Sequence, residues 1–267
     1  MYCISMKLPT SLRVTRNNLR LLLTSRNGSQ YQSFEPQSKG VNYQYHRPTS
    51  SFQKGLLAAA SAFTAVIDPY RGDMVAVLGE TTGEPALRKL RLKMLNDEVG
   101  CRILKEKPVV DVDTCVIEDL LTLPTNTFGY AYANFMTKHG ITSDTRAPVQ
   151  YVDNAELAYI MKRYRQIHDF VHVLLDFDIN VADEIIVKWF EFAHFGLPMT
   201  GLGALFGPLN QKDITSEDRE VIRKFIPWAL YNGYNSKCLL NVYFEMEFEK
   251  DLFQLKRELG ISEKSLS

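Results

Sequence analysis

From residue 51 onward, apolar positions recur with the period of a helix, and no stretch alternates as a half-buried strand would. Residues 52–67 form an alanine-rich apolar run that ends at Asp68-Pro69. Two shorter helical segments, 73–78 and 84–99, are separated by Gly79 and Gly83. Pro85 follows Glu84, where its missing N–H costs a new helix nothing. Residues 109–116 read as a short extended piece before Pro124, and 127–138 as an aromatic helix closed by His139-Gly140. The best-defined helix covers about 154–175, with Asp153 as cap and Glu156 completing a capping box. Leu157, Met161, Tyr164, His168, Val171 and Leu175 then repeat on one stripe. After a turn at 176–180, Asn180 can cap a helix over 181–195, which Gly196 and Pro198 stop. Segments 216–231 and 248–259 complete the set. The pattern predicts an all-α fold, a single-domain helical bundle over residues 51–260 with a tail at 261–267.

The N-terminal pattern is different. Residues 1–34 hold Lys7, Arg13, Arg16, Arg20 and Arg26, scattered leucines and no acidic residue, which predicts a mitochondrial targeting peptide. Residues 35–50, rich in Gly, Ser, Gln, Asn and Pro, read as a linker. The run Leu21–Leu23 is too short for a membrane span. Formal net charge is zero, so bulk electrostatics point to no nucleic-acid partner. The four cysteines, Cys3, Cys101, Cys115 and Cys238, lack the short spacing of a zinc knuckle or redox dithiol.

The chemistry concentrates in 168–184. His172 lies four residues after His168, about 40° round a helix, and His168, Asp169 and His172 fit within an arc of about 100°. Two imidazoles and a carboxylate on one inward arc each need a partner in a desolvated place, and one cation satisfies them together. Eleven residues separate His172 from Glu184, which stands in the first turn of the next helix. His168, Asp169, His172 and Glu184 are therefore the candidate metal ligands, on two consecutive helices. Such a set suits Zn²⁺ best, and also Fe²⁺ or Mn²⁺. Spacing leaves a plainer alternative open, in which Glu184 pairs with Lys188 and Asp169 merely orients an imidazole. His194 reads as an ordinary core or surface histidine.

Residues 192–211 carry no Asp, Glu, Lys or Arg, but their glycines and prolines argue against a membrane-spanning helix. They read as the wall of an apolar groove, a membrane-contacting segment, or an ordinary buried loop and short helix. Gly79–Gly83 lacks the Lys-Ser/Thr of a phosphate loop, so no nucleotide site is expected.

His168-Asp169-Phe170-Val171-His172, eleven residues and Glu184 resemble the H-D-x-x-H-x(11)-E signature of the fourth coenzyme Q (ubiquinone) biosynthesis protein family. Its surroundings agree: Arg163-Tyr164-Arg165-Gln166 before the motif, Lys188-Trp189-Phe190-Glu191 and Gly196-Leu197-Pro198-Met199 after it, and Asp68-Pro69-Tyr70-Arg71-Gly72-Asp73 and Leu78-Gly79-Glu80-Thr81-Thr82-Gly83 further upstream. The likeness runs from about 43 to 260. It implies a peripheral protein on the matrix side of the mitochondrial inner membrane, partnered by other coenzyme Q biosynthesis proteins in a multi-protein complex. It implies a lyase activity: metal-dependent oxidative decarboxylation of a polyprenylated 4-hydroxybenzoate intermediate, with hydroxyl replacing the ring carboxyl. The competing expectation is a non-catalytic, lipid-binding organiser of that complex with a structural metal. A phosphohydrolase is a weaker third, because His46 and His139 give poor support for the extra ligands it needs. A homo-oligomer is compatible with the sequence, which does not fix the metal or the tail length.

Overall fold

The computed structural model describes residues 43–67, 71–143, 147–210 and 214–264. The expected targeting peptide lies outside them. Among the described residues the regular structure is helical: α1 (Ser51–Ile67), α2 (Gly72–Thr82), α3 (Glu84–Leu95), α4 (Glu98–Glu106), α5 (Ile117–Leu120), α6 (Phe128–His139), α7 (Ala155–Leu175), α8 (Val181–Phe195), α9 (Pro198–Asn210), α10 (Ser216–Asn235) and α11 (Leu252–Leu259). The all-α expectation holds.

α7 is the axis of the fold. From Leu157 to Leu175 every residue except Lys162 and the partly buried His168 is buried. Its apolar stripe was legible, but a helix covered on all sides also buries Arg163, Arg165, Gln166, Asp169 and His172. Each of these must find a partner inside the protein. Arg163 forks onto the Glu245 carboxylate at 2.5 and 2.8 Å. Gln166 donates to the Val110 carbonyl at 2.9 Å.

Several boundaries differ from the sequence expectation. Asn154, not Asp153, caps α7, accepting from the Glu156 and Leu157 amides at 3.0 Å. Asp153 instead pairs with Lys54 at 2.5 Å and His46 at 3.3 Å. The expected helix 84–99 breaks at Asn96, and Asp97 caps α4 through the Gly100 amide at 2.9 Å. Residues 109–116 form no strand; Asp111 and Thr114 close a turn there. The last helix begins at Leu252, since Asp251 caps it, while Phe248 packs on Phe128. Within the expected linker, Tyr43 donates to the Val152 carbonyl at 3.0 Å and the Arg47 amide to Gln150 at 2.8 Å.

α8 is held from behind by α10. A Cβ on Gly233 would lie 2.4 Å from the Phe190 carbonyl oxygen, so only glycine allows this approach. His194 staples the contact, its Nδ1 donating to the Gly233 carbonyl at 2.8 Å and its Nε2 accepting from the Leu239 amide at 3.0 Å. His194 is thus a neutral core histidine, and burial pulls its pKa down to about 4. The native state then binds fewer protons than the unfolded chain between pH 4 and 6.5. The stabilisation is complete above the unfolded value and is lost as pH falls towards the folded one, a change on the order of 3 kcal/mol. Urea unfolding at pH 7 and pH 4 should show that extra loss in the wild type and not in His194→Gln.

Candidate metal centre

α7 and α8 run antiparallel, joined by the turn Asp176–Asn180. Asp176 takes the left-handed conformation that ends α7, with φ of 54°. The Asp183 carboxylate accepts from the Asp178 amide at 2.8 Å and from the Asn180 side chain at 2.9 Å. Asn180 caps α8 through the Asp183 amide, as the sequence predicted. This locked turn sets the register of the two helices. His172, late on α7, meets Glu184, early on α8. His168, one turn earlier, meets Glu191, two turns later.

The ring orientations decide what the cluster can do. Nδ1 of His172 lies 3.0 Å from the Asp178 carbonyl and 3.3 Å from that of Phe177, so it donates. Nδ1 of His168 donates to Glu191 at 2.7 Å. With a proton on each Nδ1, both Nε2 atoms turn lone pairs inward. They stand 3.3 Å apart, and Glu184 Oε1 lies 3.3 Å from one and 3.7 Å from the other. In that arrangement three acceptors converge on one point, and a cation or a shared proton between them would satisfy all three. Two donors at roughly 2.0–2.1 Å from a tetrahedral zinc lie about 3.3–3.4 Å apart, so this spacing fits such an ion.

The local field agrees. Burial pulls the His168 imidazole down, but Glu191 and Glu184 more than offset it, and its pKa rises to about 9. Burial pushes Glu184 up, yet Lys188 and the two histidines hold it well below the usual carboxylate range. Both shifts favour positive charge at the His168 ring and negative charge on Glu184. Glu184 also reaches Lys188 through its other oxygen, 3.4 Å away. The pairing that spacing offered as an alternative thus exists beside the convergent geometry.

Three of the four expected ligands, His168, His172 and Glu184, come together. Asp169 is buried, but its carboxylate does not belong to this group. Sequence reading missed Glu191, which is fully buried and orients His168. Its one signal was its place seven residues after Glu184, two turns on along the same face.

A cavity of about 420 Å³ opens beside His168, within the range of small-molecule sites. Tyr164 and Arg165 line it with His168, and Met199, Val75 and Ala76 form an apolar side. Arg165 donates to Glu80 at 2.7 Å and to the Ala76 and Ala147 carbonyls at 3.1 and 3.2 Å. The other Glu80 oxygen takes the Gln150 and Tyr151 amides, both at 2.7 Å. This network fixes α2 and the segment before α7 around the cavity. Of the charge-free segment 192–211, Met199 reaches the cavity while Leu205 faces outward.

The model of the family described as "Coenzyme Q (ubiquinone) biosynthesis protein Coq4" matches residues 43–265. The chain belongs to the Coq4 family. It is 48% identical to the mitochondrial ubiquinone biosynthesis protein COQ4 homolog of Bos taurus, over 85% of each chain. The human protein of the same name is 46% identical over 84% of this chain and 83% of its own. A crystal structure from Nostoc punctiforme PCC 73102, of a protein described as a ubiquinone biosynthesis protein, superimposes with a TM-score of 0.61. It covers 78% of this chain and 98% of that one, and at 18% identity the likeness speaks to the fold alone.

Proposed function

We propose that this Coq4-family chain is a mitochondrial, metal-dependent oxidative decarboxylase of a polyprenylated 4-hydroxybenzoate in ubiquinone biosynthesis. The observation that carries the reading is the convergence of His168 Nε2, His172 Nε2 and Glu184 Oε1 at 3.3–3.7 Å beside a cavity. These three residues would hold a divalent ion, with zinc the best match and iron or manganese as alternatives. Asp169 is proposed as the fourth ligand on the strength of the signature. A bound cation would supply Lewis acidity towards the ring carboxylate or an adjacent oxygen. The protein's own contribution is placement. His168, Tyr164 and Arg165 would face the polar head, with Asp73 on the same lining, and Met199, Val75 and Ala76 would face the apolar neck of a tailed ring. In balance, the ring acid and water give the phenol, carbon dioxide, two protons and two electrons, which dioxygen takes up as hydrogen peroxide.

The test uses purified full-length chain, zinc or ferrous iron, air and a short-tailed substrate labelled in its carboxyl group. Labelled carbon dioxide that disappears on chelation is expected. Tight substrate binding without release would favour the organiser with a structural metal. Asp169→Asn should lower bound zinc severalfold, and wild-type zinc content would remove Asp169 from the ligand set.

We place the chain on the matrix face of the inner membrane, among other coenzyme Q enzymes. No helix of the described residues is long and apolar enough to cross a membrane. The outer face of α1 supports a peripheral contact: Phe52, Leu56, Phe63 and Ile67 are 62–80% exposed, and α9 adds Leu205. The one charge on α1, Lys54, is turned to Asp153. Replacing Phe52 and Phe63 together by Asp should cut co-sedimentation with phospholipid vesicles severalfold and leave zinc content unchanged. Undiminished sedimentation would count against this face.

A further inference from the structure

We infer that Glu191 is a positioning residue of the metal centre, fixing which nitrogen of His168 faces the ion. The inference rests on the reading of His168, His172 and Glu184 as ligands. Glu191 has no solvent exposure, and a carboxylate buried to that degree is costly unless both oxygens are engaged. Both are: Oε1 lies 2.7 Å from His168 Nδ1, and Oε2 accepts the Tyr164 hydroxyl at 2.9 Å. Tyr164 aims the carboxylate and the carboxylate aims the ring. The ring can then present only Nε2, the atom 3.3 Å from His172 Nε2.

His172 reaches the same end by another device, since the turn carbonyls of Phe177 and Asp178 hold its Nδ1. His168 sits mid-helix, where backbone carbonyls are taken by the helix itself, so a side chain has to do this work. A carboxylate does more than a carbonyl. Drawing on the Nδ1 proton, it makes Nε2 a stronger donor to a cation. The arrangement also leaves Glu184 free to face the ion, because Glu191 already answers the outer side of His168.

A glutamine at 191 keeps the shape but can offer Nδ1 either its oxygen or its amide group, so the tautomer is no longer fixed. Titration of the metal-free full-length chain with Zn²⁺ should show Glu191→Gln binding about 10–100-fold more weakly than wild type. Tyr164→Phe, which loosens the carboxylate without removing it, should show a smaller loss. Cobalt substitution adds a second reading: the visible bands of the wild-type Co²⁺ protein should shift in Glu191→Gln. Equal zinc affinity and unchanged bands would show that Glu191 is only a core ion-pair partner, and would overturn the inference. Should Glu191→Gln fail to fold, nitrogen NMR of the zinc-loaded wild type decides. His168 protonated on Nδ1 and ligated through Nε2 supports the inference, and ligation through Nδ1 overturns it. A wild type that binds no zinc overturns the metal reading itself and takes this inference with it, an outcome distinct from a tight wild type with an equally tight variant.

Discussion

Glu184→Gln is expected to lose its metal and abolish coenzyme Q formation in a protein that remains folded, whereas Lys188→Ala is expected to be mild. Glu184 Oε1 faces both histidine Nε2 atoms, at 3.3 and 3.7 Å, while Oε2 faces Lys188 at 3.4 Å. An amide at this position keeps the packing but brings no negative charge to the point where three acceptors meet. The helix cost is small: a single i,i+4 pair contributes about 0.2–0.5 kcal/mol, and a charge near a helix N-terminus about as much. Lys188→Ala breaks the pair and leaves the convergent geometry. Metal content by mass spectrometry, thermal unfolding and ubiquinone production in cells lacking the endogenous protein check the two variants together. Equal, mild outcomes would reduce Glu184 to an ion-pair partner.

The second large effect concerns stability. Arg165→Ala should destabilise the fold by about 3–5 kcal/mol, because it strands the Glu80 carboxylate in the interior. Glu80 has almost no exposure, and its partners are the Arg165 guanidinium and the amides of Gln150 and Tyr151. Removing Arg165 also frees the Ala76 and Ala147 carbonyls that it bridges. The double variant Arg165→Met, Glu80→Gln should recover part of the loss: no charge stays buried, and the glutamine oxygen can still accept an amide. Urea midpoints of the three proteins check this. A single variant as stable as wild type would show that water replaces the guanidinium. The cavity should suffer first, since this network ties α2 to α7 beside His168.

The site was legible in part because α-helical geometry is local. Spacing alone put His168 and His172 one turn apart, placed Glu184 at the start of the next helix, and found the Asn180 cap that fixes its register. Glu191 was not legible. Its spacing from Glu184 put it on the same helix face but did not show that it is buried, which follows from the packing of α8 between α7 and α10. The caps show the same limit. Asp153 and Asn154 both suit the start of α7, and the choice falls to Asn154 because Lys54 and His46 engage Asp153.

By itself, then, the sequence determined the helical class, the positions of α7 and α8, the motif, and the resemblance that the family model bears out. These follow from periodicity and capping, which act over a few residues. Tertiary structure alone decided that α7 is covered on every side, that Arg165 and Glu80 close on each other, and that Glu191 stands behind His168. It also placed Asp169 outside the group formed by His168, His172 and Glu184. The physical reason is that a local pattern fixes the direction of each side chain about its helix axis. The partner it meets, and whether water reaches it, depend on helices far away in the chain.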